Sequence, residues 1–236
     1  MLRKAIAYAD KTVDLIAAIV CLLLFLVCLY AMYDACMVYY RAADKSALVY
    51  KPETGGNPEI LRDLSEDAVA WLTVEGTRID YPVMQGKTNS TYLNTDPFGD
   101  FSLSGSIFLD SRCSSDFSDP YSMIYGHHME YGAMFGALDE FYDPDYFAGH
   151  RDGTLTTVGG ETFRIRFFAC CRANATEPLI FDPPDSSRPD LLAFLAAHAA
   201  VFESSETLES ARIIALSTCQ NGENIERIIV FGTLDG

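Results

Sequence analysis

Basic side chains are scarce in this chain of 236 residues, which has 17 Lys and Arg against 33 Asp and Glu and a formal net charge of −16. A protein that binds nucleic acid needs a basic surface to displace counterions from phosphates, so this deficit excludes nucleic acid as a partner. The acidic excess lies after residue 42, where 30 acidic side chains accompany 13 basic ones. We expect an anionic bilayer to repel such a domain unless the domain is tethered there.

Several other features are missing. Seven cysteines are too few for a disulfide scaffold, and their odd number leaves at least one thiol unpaired. The chain has no internal repeats, H-E-x-x-H or C-x-x-C metal motif, glycine-rich phosphate loop or G-x-S-x-G elbow. Cys170 and Cys171 are adjacent, so on a strand they point to opposite faces and cannot readily chelate one ion. We therefore predict no metal, whereas a hydrophobic fraction of 49% excludes a disordered chain.

Residues 15–33 form a run of 19 residues without a charge. As a helix the run would measure about 28 Å, close to the roughly 30 Å of a hydrocarbon core. A buried core helix would normally have a polar face, and none is present. A cleaved signal peptide has a shorter apolar region and a small-residue cleavage site, whereas Tyr30, Met32 and Tyr33 close this run. The run predicts an uncleaved transmembrane helix.

Charges flanking the run predict its orientation. Three basic residues precede it, Arg3, Lys4 and Lys11. The positive-inside rule then places the N-terminus in the cytoplasm and the following domain outside a single-pass cell-membrane anchor. The predicted division is a cytoplasmic N-terminus (1–14), a transmembrane helix (15–33), a stalk in which the helix continues to about Ala43 (34–56) and an extracellular domain (57–236).

The exterior domain has short runs of β-forming residues separated by turn residues. They cover residues 77–84, 104–110, 122–127, 153–158, 162–171, 211–219 and 226–234. Helical spacing predicts three helices, at 60–71, 131–141 and 188–202. Together these patterns predict a mainly β fold, either a closed barrel or a sandwich, of seven or eight strands with short helices.

Cys219 closes one predicted strand, and Arg227 lies in the next one. Side chains alternate between the two faces of a strand, which puts Cys219 and Ser217 on the same face. Arg227 follows a polar Q-N-G-E-N turn. The thiol and the guanidinium can therefore meet across a hairpin. Two ordinary roles remain open at this point. Cys219 can be a small buried hydrophobe, and Arg227 can be a solvent-exposed charge on an edge strand.

Only four histidines are present. His127 and His128 lie between a predicted strand and a helix, where side chains are often held for chemistry. His150 follows a loop glycine without an evident partner, and His198 lies within the predicted long helix. The adjacent pair is therefore the better candidate for a functional role.

A set of motifs resembles the sortase family, and the long helix before the last two strands is similar to that of class B sortases in particular. The resemblance runs from about Trp71 to Leu234. Its motifs are IDYPVMQG (79–86), N-x-x-YL at Asn89, Tyr92 and Leu93, GSIFLD (105–110), YGHHM (125–129) followed by MFG (134–136), and LSTC (216–219) with Arg227 eight residues on.

The resemblance implies a sortase-like closed β-barrel, a cysteine transpeptidase anchored at the outer face of a Gram-positive membrane. The family's catalytic residues fall on His127, Cys219 and Arg227, while His128 stands at a position that varies. Its substrate-binding positions fall on Asn89, Leu93, Tyr125 and Ser217.

The implied reaction needs no cofactor, and we predict no calcium site. Cys219 would attack the carbonyl that follows threonine in a sorting motif and form a thioacyl-enzyme. Arg227 would stabilise the oxyanion, and a neighbouring cation would lower the pKa of the thiol. His127 would protonate the leaving amine and deprotonate the incoming one. The implied partners are surface proteins bearing sorting signals and an amine of a peptidoglycan precursor or a pilin.

Two alternatives remain. A thiol peptidase would release the acyl group to water, although the papain-type C-G-[SA]-C-[WY] signature is absent. A tethered, non-enzymatic module would have an incomplete set of catalytic residues. The product mass, with and without an added amine, separates these possibilities.

Overall fold

The structure is a computed structural model that describes residues 2–42, 45–53, 56–219 and 226–236. It divides into two compact units, Met1–Arg41 and Ala42–Gly236. The predicted turn at 220–224 lies outside the described residues.

The first unit is one helix, α1, at Leu2–Ala42. Its stretch Asp10–Tyr40 is long and apolar enough to cross a membrane by length and composition. The predicted span at 15–33 lies inside this stretch. The helix ends at Ala42, close to the predicted end at about Ala43, and it begins at Leu2.

The second unit is mainly β. Its strands are β1 (Ala68–Val74), β2 (Asp80–Met84), β3 (Ile107–Leu109), β4 (Tyr121–Gly126), β5 (Asp152–Thr157), β6 (Thr162–Asn174), β7 (Val201–Phe202), β8 (Arg212–Thr218) and β9 (Glu226–Asp235). Its α-helices are α2 (Ile60–Leu64), α3 (Pro144–Gly149), α4 (Pro178–Phe181) and α5 (Arg188–His198). Short 3-10 helices occupy Ser46–Tyr50, Glu130–Gly132, Gly136–Tyr142, Pro183–Asp185 and Glu206–Glu209.

Eight strands close into a barrel. The described strands follow the order β5-β1-β2-β3-β4-β8-β9-β6-β7, and an additional β5–β6 pairing closes the ring. Two pairs, β2–β3 and β4–β8, are parallel, and the others are antiparallel. The short β7 adds to β6 outside the ring. The predicted closed barrel is confirmed, and the sandwich alternative is wrong.

Alternation along the strands creates two apolar clusters on opposite faces of the sheet. One cluster takes residues from all eight strands of the ring, such as Leu72 and Leu216, and is the barrel interior. The other contains Met123 and Phe231 and is covered by α2, α4 and α5, for example through Leu195. The candidate site lies on this second face.

The prediction of one helix at 60–71 is wrong. The helix ends at Leu64, and β1 begins at Ala68. Residues 68–74 pair along both edges, with β2 and with β5. These two ladders, and the burial of Trp71 and Leu72, outweigh the helical spacing that the sequence suggests.

The other two predicted helices are shorter than expected. Instead of an α-helix at 131–141 there are two 3-10 helices, and Met134 between them has a φ of 50°, which lies outside the right-handed helical region. The helix predicted at 188–202 ends at His198, because the next residues pair with β6 as β7.

Candidate active site

The candidate site forms where β4 and β8 end side by side. The two strands are parallel, with Tyr125 opposite Ser217 and Gly126 opposite Thr218. The backbone N–H of Cys219 donates a hydrogen bond to the carbonyl oxygen of Gly126 at 2.7 Å. Because parallel strands end at the same edge of a sheet, Cys219 and His127 leave the barrel at one point.

Cys219 is a free thiol with 6% of its surface exposed. Burial raises its pKa to about 12, and the charge of Arg227 offsets only part of this effect. Arg227 therefore lowers the pKa as predicted, while burial raises it by more. At neutral pH the side chain is a protonated thiol, which must lose its proton when it reacts.

Arg227 is half-buried on β9, an inner strand between β8 and β6. Its guanidinium carbon lies 5.2 Å from the centre of the Phe181 ring, a cation–π contact. Its Nε atom is buried and has no hydrogen-bond partner among the described residues. Such a donor usually has a partner, so the atom is available to an acceptor that enters the site. The edge-strand alternative for Arg227 is wrong.

The two adjacent histidines make different contacts. Nε2 of His127 lies 2.6 Å from the carbonyl oxygen of Leu93. A carbonyl can only accept a hydrogen bond, so Nε2 carries the proton in this contact. Nδ1 is the ring nitrogen that does not take part in it. Nε2 of His128 lies 2.6 Å from Oδ2 of Asp139. The two rings are thus held by different parts of the barrel.

Two clefts meet at Cys219 and Arg227. The first cleft has a volume of about 560 Å³ and contains six of the seven predicted site residues. Those six are Asn89, Leu93, Tyr125, His127, Cys219 and Arg227, and Phe108, Arg112 and Phe181 also line the cleft. The second cleft has a volume of about 300 Å³ and is lined mainly by charged or polar side chains, including His128, Asp139, Arg172 and Glu226. The clefts therefore differ in character, one partly apolar and one polar.

Ser217 is the predicted site residue that the structure does not place in either cleft. Its side chain is fully buried, and its hydroxyl donates a hydrogen bond to the carbonyl oxygen of Thr218 at 3.1 Å. Its role as a substrate contact stays a prediction.

Asp110 organises one side of the first cleft, and sequence reasoning missed it. Its side chain is fully buried and accepts hydrogen bonds from Asn89 Nδ2 at 2.9 Å and from the Tyr125 hydroxyl at 3.1 Å. Burial alone would raise the pKa of Asp110, but hydrogen bonds from Arg112 and Asn89 together hold it below its ordinary value. One feature of the sequence could have identified Asp110: it is the acidic residue at the end of the apolar GSIFLD strand.

Three other cysteines of the second unit line neither cleft. Cys113, Cys170 and Cys171 are buried free thiols, and burial raises the pKa of each. Within the described ranges no three His, Cys, Asp or Glu side chains are grouped to hold a metal ion.

Comparison with known proteins identifies the family. A family profile for the sortase domain matches residues 72–235. Sortase B of Listeria monocytogenes is 32% identical over 179 residues, covering 74% of this chain and 72% of that protein, and Sortase B of Staphylococcus aureus is 29% identical over 177 residues, covering 73% and 72%.

Solved structures agree with this comparison. A Streptococcus pyogenes class B sortase involved in pilus biogenesis superposes with a TM-score of 0.71 and 37% identity over 78% of this chain and 100% of that chain. Staphylococcus aureus Sortase B gives a TM-score of 0.67 and 25% identity over 75% and 85% of the two chains. Together with the closed barrel and the meeting of Cys219 and Arg227, these matches establish that the chain belongs to the sortase family of cysteine transpeptidases and is similar to its class B members.

Proposed function

We propose that this sortase cleaves a C-terminal sorting motif after threonine, forms a thioacyl-enzyme on Cys219, and transfers the protein to an amine of a cell-wall precursor or a pilin. The observation that carries this proposal is that two clefts of different character reach the same thiol and the same guanidinium. A transpeptidase needs two such approaches, because its donor peptide still occupies the site when the acceptor arrives.

In the first half of the reaction the sorting peptide lies in the first cleft. The thiol proton of Cys219 passes to Nδ1 of His127, since Nε2 is engaged with Leu93. The sulfur attacks the carbonyl carbon after threonine, and the negative charge that forms on the oxygen accepts a hydrogen bond from Arg227. The C–N bond then breaks, and the leaving amine takes the proton from His127.

In the second half the thioester meets an amine. We assign the acceptor amine to the second cleft, where the carboxylates of Asp139 and Glu226 lie among the cationic side chains of Arg172 and Arg227. The amine attacks the thioester as a neutral group, His127 accepts the proton that it loses, and the thiolate of Cys219 is released and reprotonated. The net reaction exchanges one amide bond for another and consumes no cofactor.

The product formed in the presence of an acceptor amine distinguishes transfer from hydrolysis. We expect full-length enzyme in detergent to convert a peptide with threonine before the scissile bond, chosen from a panel of sorting signals, into an amide with triglycine or a lysine-containing peptide. Mass spectrometry identifies this amide by the mass of the acyl fragment plus the acceptor. A free carboxylate as the main product at every acceptor concentration would favour the thiol peptidase, and uncleaved peptides throughout the panel would favour the non-enzymatic module.

We also propose that α1 anchors the enzyme in the membrane, with residues 1–14 in the cytoplasm and residues 57–236 outside. The apolar stretch within α1 and the basic residues before it support this orientation. When protease is added to intact protoplasts, a tag after Met1 should stay protected and a tag after Gly236 should be lost. A mature protein without its first 30 or so residues, found by N-terminal sequencing, would instead indicate a cleaved signal peptide.

A further inference from the structure

Two segments that are far apart in the sequence line the first cleft, and they are called its two walls below. Wall one is the segment after β2, residues 89–94, which contributes Asn89 and Leu93. Wall two is the end of α4, which contributes Phe181. The walls lie about 90 residues apart in the chain, so their separation depends on contacts between side chains and backbone.

Asp110 holds wall one. Its Oδ2 accepts a hydrogen bond from Asn89 Nδ2 at 2.9 Å, and the Asn89 Oδ1 accepts one from the backbone N–H of Ser111 at 2.7 Å. Asn89 is therefore attached to the end of β3 through both atoms of its amide. The carboxylate to which it is attached is fully buried.

Arg112 holds wall two with the same guanidinium that binds Asp110. It reaches Asp110 through two bonds of 2.9 Å, from Nε to Oδ1 and from NH2 to Oδ2. Its NH2 also donates to the carbonyl oxygen of Phe181 at 2.8 Å, and its NH1 donates to Oδ1 of Asp182 at 2.6 Å. One planar group with fixed donor directions thus connects the two walls.

We propose that Arg112 is a positioning residue that sets the width of the first cleft and thereby the binding of the sorting peptide. This inference rests on the proposed function only in assigning the peptide to that cleft. Arg112 does not line the second cleft, so the acceptor amine should be insensitive to it. A second contact with α4, from the Tyr121 hydroxyl to the Ile180 carbonyl oxygen at 2.9 Å, does not involve Arg112, so its substitution should loosen wall two without unfolding α4.

The first test measures the walls without any substrate. In full-length Arg112→Gln, hydrogen–deuterium exchange of the amides in 89–94 and 178–182 should be at least about tenfold faster than in the unchanged enzyme, because charge-assisted bonds that restrict local opening are lost. Arg188→Gln is the matched control. Arg188 also donates to backbone carbonyl oxygens, those of Pro120, Leu208 and Ala211, but it lines neither cleft. Unchanged exchange in both walls of Arg112→Gln would overturn the proposal.

The second test uses the two half-reactions. For Arg112→Gln we expect kcat/KM for the sorting peptide to fall about 10- to 100-fold, since a misplaced wall misplaces the scissile bond. We expect kcat/KM for triglycine to stay within about threefold, whereas a general loss of structure would lower both values together. Equal losses in both values, or an equal loss of peptide kcat/KM in Arg188→Gln, would contradict a positioning role.

A milder substitution, Asp182→Ala, tests the same proposal if Arg112→Gln does not fold. Asp182 is partly exposed, and Asp182→Ala removes one bond to Arg112 while the pair of bonds between Arg112 and the buried Asp110 stays intact. We expect faster exchange in 178–182 only, with a loss of about threefold in peptide kcat/KM. No change in either measurement would count against the proposal. If the unchanged enzyme transfers no peptide at all, the proposed function fails, but the exchange experiment still decides whether Arg112 couples the walls.

Discussion

Cys219→Ala is expected to reduce peptide transfer to the background rate while the barrel remains folded. The substitution removes the atom that would form the thioester, and loss of a catalytic nucleophile costs on the order of 10⁶ in kcat. Alanine is smaller than cysteine, so the buried backbone at the end of β8 can keep its conformation. Mass spectrometry should detect an acyl-enzyme with the unchanged protein and none with the variant, and the thermal unfolding midpoints should be similar.

Cys113→Ala provides a matched control for this change. Cys113 is also a free thiol, is similarly buried at 7% exposure, and belongs to the barrel interior. It lines neither of the two clefts, so we expect nearly normal transfer. If Cys219→Ala kept measurable transfer, or if Cys113→Ala lost it, the assignment of the nucleophile would be wrong.

The pH dependence of alkylation gives a further control on the same thiol. Only the thiolate reacts, and burial raises the pKa of Cys219 to about 12. The thiolate fraction therefore rises about tenfold for each pH unit between pH 6 and 9, and inactivation by iodoacetamide should accelerate in proportion. A rate that is flat over this range would mean that Cys219 is already ionised in the free enzyme.

Local patterns in the sequence predict part of this site well. Strand alternation places Cys219 and Arg227 on one side of a hairpin, and the structure brings both to the same two clefts. The seven predicted strands are all present, with ends shifted by at most three residues. Alternation is a property of each strand by itself, which is why it can be read without the rest of the fold.

Other features depend on contacts between distant segments and could not be predicted in this way. The bond between Arg112 and Asp182 joins residues 70 positions apart. Burial of Cys219 depends on the whole outer cluster, and that burial raises its pKa by more than Arg227 lowers it. The spacing at 60–71 predicts helix for residues 68–71 of β1, because the two partner strands of β1 are not visible in its own residues.

The contacts of the two adjacent histidines predict that their replacement has different effects on the rate. His127 lines the first cleft together with Cys219 and Arg227, and its Nε2 is fixed by the Leu93 carbonyl oxygen, which leaves Nδ1 for proton exchange. His128 lines the second cleft, and its ring contacts Asp139. Since general acid–base catalysis contributes about 10²–10⁴ in rate, His127→Ala should lower kcat by a factor in this range.

His128→Ala is the matched control, because it removes an imidazole one residue away in the same loop. We expect it to retain substantial transfer, since both proton transfers to and from the peptide amines depend on His127. The two variants should be compared as full-length proteins for acylation by the sorting peptide and for transfer to triglycine. If His128→Ala were the more damaging change in both steps, the His128–Asp139 pair would be the proton carrier, and the reaction would run from the second cleft rather than the first.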